Sequence, residues 1–105
     1  MKNVHLLAGL ATGVLAFLPF AQAADMAAGK AKAEEICIDC HGDDGKGDDE
    51  SPDITPASLS SKEFIQAMQE YQTGKRTKNA KMARAAKKLT AADVENVAAY
   101  FATLK

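Results

Sequence analysis

Five consecutive residues, Cys37-Ile38-Asp39-Cys40-His41, limit what this chain can be more than any others, because they hold its only two cysteines. Each common use of a Cys-x-x-Cys pair makes its own demand on the rest of the chain. A structural zinc site takes four ligands as a rule. Beyond residue 23 the chain offers Cys37, Cys40 and His41 and no other Cys or His, and adjacent Cys and His side chains converge poorly on one ion. A Cys37–Cys40 disulfide would close a very small loop and so remove little entropy from the unfolded chain. A thioredoxin-type dithiol sits at a helix start beside a βαβ pattern. Here the motif follows a helical stretch, and no segment alternates with period two.

The histidine separates these readings from a fourth. Cys-x-x-Cys-His is the attachment sequence of c-type haem. Two thiols three positions apart can add to the vinyl groups of neighbouring pyrroles as thioethers. The next residue then lies under the iron, where the His41 imidazole can serve as proximal ligand. One covalently bound haem, with its iron, is the expected cofactor. Composition agrees: the chain has no tryptophan and only 6% aromatic residues, so side chains alone give a thin core for so small a domain. A flat apolar macrocycle would fill it, and without it the chain should be mostly unfolded.

Residues 1–23 read as a secretory signal peptide. Lys2 precedes an apolar run, and Ala21-Gln22-Ala23 has the small-x-small form of a cleavage site. Gly9, Thr12, Gly13 and Pro19 interrupt the run, which is short for a stable span of about 20 apolar residues. Cleavage before Ala24 or Asp25, a periplasmic location and no stable membrane insertion are expected. The functional unit is then one domain, residues 24–105.

Charge is unevenly spread along that unit. Of fourteen acidic residues only Asp93 and Glu95 lie beyond residue 70. Between residues 24 and 70 only Lys30, Lys32, Lys46 and Lys62 are basic. This polarity bears on steering and on partners rather than on fold, and nucleic acid is not expected among those partners.

The helical reading is as follows. Met26, Gly29, Ala33, Ile36 and Cys37 share one face of a first helix. Residues 42–59 form a loop rich in Gly, Asp and Pro, long enough to suggest a role in function or packing on a ligand. Ser60-Ser61-Lys62-Glu63 is a capping box for a helix with Phe64, Ile65, Met68 and Tyr71 on its apolar face, ended by Thr73-Gly74. Residues 75–81 read as irregular and Ala83–Leu89 as a short helix. Thr90 and Asp93 cap a last helix with Val94, Val97, Ala98, Phe101 and Leu104 as its stripe. The expected fold is all-α, with three to five short helices.

The second axial position decides between electron transfer and ligand chemistry. No second histidine remains after export. Met26 falls on the first helix and Met68 within a core stripe. Met82 follows the irregular segment, where no apolar stripe claims it, and is the candidate distal ligand. Met68, or an open or weakly ligated position, is the alternative. A neutral thioether favours Fe(II) relative to imidazole and so raises the potential.

These residues together make the chain resemble the small bacterial monohaem class I cytochromes c over residues 24–105. The resemblance rests on Cys37-x-x-Cys40-His41-Gly42, on Pro52, on Tyr71-x-Thr73-Gly74-Lys75-Arg76 leading to Met82, and on Val97-Ala98-Ala99-Tyr100-Phe101. It implies helices wrapped around the haem, with the first and last crossing where Gly29 meets Val97 and Tyr100. It implies Cys37 and Cys40 as thioether anchors, His41 as proximal and Met82 as distal ligand, and the Pro52 carbonyl as acceptor from the His41 ring. Ala33 departs from the aromatic that many relatives carry, which makes the crossing thinner. The acidic run Asp48-Asp49-Glu50 matches no family motif.

The expected function is periplasmic one-electron transfer, without catalytic residues. A haem-based sensor, or a subunit of a larger oxidoreductase, is the alternative. Lys75, Arg76, Lys78, Lys81 and Arg84 surround Met82 in sequence and would steer an acidic docking patch on a redox partner. The same residues could instead form an ordinary solvated face or pair with haem propionates.

Overall fold

Asp25 starts the first helix by accepting the Ala28 N–H at 3.0 Å, which satisfies one of the donors a helix leaves open. The computed structural model describes residues 24–105; the expected signal peptide, residues 1–23, lies outside the described residues. Five helices follow in order: α1 Met26–Ile36, α2 Ile38–His41, α3 Ser61–Thr73, α4 Ala80–Lys87 and α5 Ala91–Phe101. Among the described residues there is no strand, so the fold is all-α, as expected. None of these helices is long and apolar enough to cross a membrane.

The local chemistry sets most boundaries. Ser60 and Glu63 form a reciprocal capping box at the start of α3, and Thr90 and Asp93 do the same for α5. Such caps contribute about 1 kcal/mol each. Gly74 closes α3, with the Lys75 N–H reaching back to the Glu70 carbonyl at 2.9 Å.

Three expectations need correction. The fourth helix begins at Ala80, not Ala83, and ends at Lys87. The cause is Asn79, whose side chain accepts the Met82 N–H at 3.0 Å; residues 80–82 are therefore helical, and Met82 stands in the first turn of α4. At this register Met82, Ala86 and Leu89 fall at i, i+4 and i+7, one apolar face. Ala86 and Leu89 are buried and Met82 packs half-buried against the core, so a stripe does claim Met82. Met26, in turn, is 52% exposed. It occupies the first position of α1, and the buried stripe begins only at Gly29.

The core sits where α1 crosses α5. A Cβ on Gly29 would collide with the Asn96 carbonyl of α5; only glycine lets the two backbones meet this closely. Ala33 is fully buried at the same crossing, and its small side chain suits the short separation. Asn96 ties the helix start as well, accepting the Asp25 N–H at 2.8 Å. Val97 and Phe101 are also shut away from solvent, each burial favouring the fold by roughly 1.5–3 kcal/mol. Phe101 extends the core to α3 through Phe64, with ring centroids 5.9 Å apart.

Candidate functional site

The cysteine motif occupies a single helical turn between α1 and the long loop. Cys37 ends α1, its N–H bonded to Ala33 O at 2.7 Å, and its own carbonyl accepts the His41 N–H at 3.1 Å. Cys37 and His41 thus stand at i and i+4, neighbours on one face. Both are buried, whereas Cys40 is exposed; both cysteines are free thiols. Burial pushes the Cys37 thiol up to about 11. A thiol kept neutral is a poor redox nucleophile, which weighs against a dithiol role in the folded chain.

Loop 42–59 is ordered by its own polar groups and delivers Pro52 to the histidine. The Gly47 N–H bonds the His41 carbonyl at 2.8 Å, and the Ile54 N–H bonds Gly45 O at 2.9 Å. Asp48 makes a tight turn: its Oδ1 accepts the Glu50 and Ser51 N–H groups at 2.8 and 3.0 Å, while its own N–H bonds Ser51 O at 2.8 Å. Gly47 has φ +72°, and a Cβ there would collide with the Ser51 carbonyl oxygen and come within 2.6 Å of the Pro52 carbonyl oxygen. Asp53 then accepts from the backbone and hydroxyl of buried Thr55, at 2.8 and 2.7 Å. These bonds hold its carboxyl below the ordinary value of 3.8. The acidic run that sequence reading left unassigned is therefore in part a turn-forming device. Its signal was the side chain of Asp48 placed two and three residues before backbone donors, an Asx-type turn.

The outcome of this path is one short contact. His41 Nδ1 donates to Pro52 O at 2.9 Å. A carbonyl only accepts, so Nδ1 carries the proton and Nε2 keeps the lone pair that a metal ligand needs.

His41 is also part of the wall of a cavity of about 510 Å3, within the range of cofactor sites, about 300–1,000 Å3. Cys37 and Cys40 line it beside the histidine, and Pro52 and Leu59 line it from the loop. Helix α3 adds Phe64, Met68 and Tyr71, and α4 adds Met82. All five residues singled out in the sequence, Cys37, Cys40, His41, Pro52 and Met82, border this one space. So does Met68, which is 5% exposed and packed in the core. A largely apolar cleft holding two thiols, an imidazole with a free nitrogen and two thioethers fits a covalently attached haem. The rim is polar and divided, with Glu50 and Asp53 on the loop and Arg76 and Lys81 beyond α3.

Arg76 differs from its basic neighbours. Its guanidinium bonds Glu70 at 2.7 Å and lies 5.6 Å from the Tyr71 ring centre. That pairing holds the Glu70 carboxyl below its ordinary 4.5. Sequence spacing had grouped Arg76 with Lys75, Lys78, Lys81 and Arg84, but its charge is already engaged.

Comparison with known proteins agrees with this geometry. The cytochrome c family model matches residues 26–105. Among solved structures, cytochrome c4 of Acidithiobacillus ferrooxidans is similar, with 32% identity and a TM-score of 0.65. The alignment covers 79% of this chain and 51% of that one, so the chain spans about half the length of its structural relative. A search of curated proteins gave no match. The family match begins at the first residue of α1 and runs past the last residue of α5, so it takes in the cavity and every helix around it. The chain belongs to the cytochrome c family, as a small class I cytochrome c, and that membership implies a covalently bound c-type haem.

Proposed function

We propose that this protein is a periplasmic carrier of single electrons on one haem, with His41 and Met82 as axial ligands and Cys37 and Cys40 as thioether anchors. The observation that carries the reading is the shared cavity, which unites His41 of α2 with Met82 of α4. Bound there, haem iron supplies a one-electron Fe(III)/Fe(II) couple. The chain's own groups tune and shield that couple. The Pro52 carbonyl fixes the tautomer and orientation of the His41 ring. The soft, neutral Met82 sulfur favours the reduced state. Leu59, Phe64 and Tyr71 keep the surroundings apolar.

Residues 1–23 supply the export signal in this reading, and sequencing of the mature N-terminus tests it. Lys75, Lys78, Lys81 and Arg84 are exposed and would steer an acidic patch of a redox partner toward the cavity mouth. The rate of electron transfer to such a partner should fall as salt rises.

Met68 shares the cavity and is the specific rival for the sixth position; an open position would suit a sensor or an oxidoreductase subunit. The near-infrared band of methionine-ligated ferric haem decides among them. It should be present in the oxidised holoprotein, absent in Met82→Ala and retained in Met68→Ala, with a lower potential in Met82→Ala. Wild-type protein lacking the band and binding CO rapidly when reduced would overturn the carrier reading.

A further inference from the structure

Met82 stands in the first turn of α4, so any slide or swing of α4 moves its sulfur. Side chains hold that helix at both ends. Asn79 accepts the Met82 N–H at the start. At the finish, Gln72 from the last turn of α3 reaches across with its amide. Gln72 Nε2 donates to Ala86 O at 2.9 Å and to Leu89 O at 3.0 Å.

The placement is unusual in three respects. One acceptor lies in the last turn of α4 and the other just past its end; Ala86 O takes the amide in addition to the Leu89 N–H at 3.1 Å, and Leu89 O has no helical partner to come. The two bonds leave one planar group, so they restrict rotation of α4 as well as translation. Ala86 is fully buried and lies one turn from Met82 on the same face, so the tether acts on the face that bears the sulfur. No other side-chain hydrogen bond joins α3 to α4 among the described residues.

We propose that Gln72 is a positioning residue for the sixth ligand. By fixing α4 on α3 it sets how firmly the Met82 sulfur is presented, and so the potential and the resistance to exchange by an outside ligand. The proposal rests on Met82 being the distal ligand.

The test uses holoprotein carrying Gln72→Ala or Gln72→Glu. The second keeps the shape but replaces two donors by a carboxylate facing carbonyl oxygens at a helix C-terminus. Imidazole binding to the oxidised form reports the population in which Met82 has let go. Loss of both bonds should tighten imidazole binding roughly tenfold, lower the potential and weaken the near-infrared band. Ser60→Ala removes the cap at the far end of α3 and serves as the control. It should lower the urea midpoint and leave imidazole affinity unchanged. Gln72 variants that lose urea stability yet keep wild-type imidazole affinity and potential would overturn the proposal and assign Gln72 to stability alone. Met82→Ala separates the two levels. If that variant keeps the near-infrared band, the ligand assignment itself fails and the proposal with it. If it loses the band while the Gln72 variants behave as wild type, only the positioning role fails.

Discussion

At the α1–α5 crossing, Gly29 meets the backbone of Asn96 and Val97 with no room for one added methyl group, and Ala33, Val97 and Phe101 are fully buried. Across the molecule, α3 and α4 turn Met68, Tyr71 and Met82 toward a cavity of about 510 Å3. Both regions are apolar and helical, yet the first is complete as polypeptide and the second is not. The crossing is stabilised by side chains that touch one another. The cavity walls bury their apolar surface fully only against something held between them, and that surface is worth about 25 cal/mol per Å2 once covered.

The strongest way to break this contrast is to remove the haem. A Cys37→Ser, Cys40→Ser chain that cannot attach it should lose most of its helical circular dichroism. Any hydrogen-exchange protection that survives should lie in α1 and α5. Equal protection in α3 and α4 would show that the cavity walls stand without a filling.

Glycine substitutions sharpen the contrast next. In Gly29→Ala the new Cβ faces a backbone carbonyl, which cannot rotate away. The holoprotein should lose roughly 3 kcal/mol, read as a drop in urea midpoint, with its potential unchanged. In Gly47→Ala a left-handed residue gains a Cβ against the Ser51 carbonyl oxygen and the Pro52 carbonyl beside it. A comparable loss of roughly 3 kcal/mol is expected there, and because Pro52 holds His41, the potential should shift as well. A potential that moves in Gly29→Ala and not in Gly47→Ala would reverse the assignment of the two regions.

Acid should give the smallest effect, and on one side only. Thr55 lowers Asp53, the Ser60 N–H lowers Glu63 and Arg76 lowers Glu70. All three belong to the loop and α3, the cavity side. A carboxyl lowered on folding contributes its stability above its ordinary value, 3.8 for Asp53 and 4.5 for the two glutamates. It loses that contribution as pH falls through the lowered value. Below about 4 the haem absorption should therefore change before the helical signal does. Simultaneous loss of both would mean that the two regions unfold as one.

What could be read from the sequence follows the same division. The capping boxes at Ser60 and Thr90 and the apolar stripes of α3 and α5 are local patterns, and they were legible. The cysteine motif was too, because its chemistry lies within five residues. The start of α4 was not, since Asn79 sits among basic residues that mask its capping role, and without that start Met82 falls on no stripe. The path of loop 42–59 depends on side chains bonding their own backbone, at Asp48 and Asp53, which composition does not reveal. Met82 and Met68 could not be separated by pattern alone, because a thioether serves equally as core filler and as ligand, and both border one cavity.

The crossing has a further consequence, in time rather than in space. Asp25 and Asn96 are bonded across 71 residues, and Gly29 packs on the same helix. Closing so large a loop costs the unfolded chain entropy, and the contact cannot form before α5 has been made. Cys37 is buried once the chain is folded, so its thiol is more accessible before the helices pack. The crossing thus joins the first and last turns of the fold, and attachment of a haem at Cys37 would come before that packing is complete.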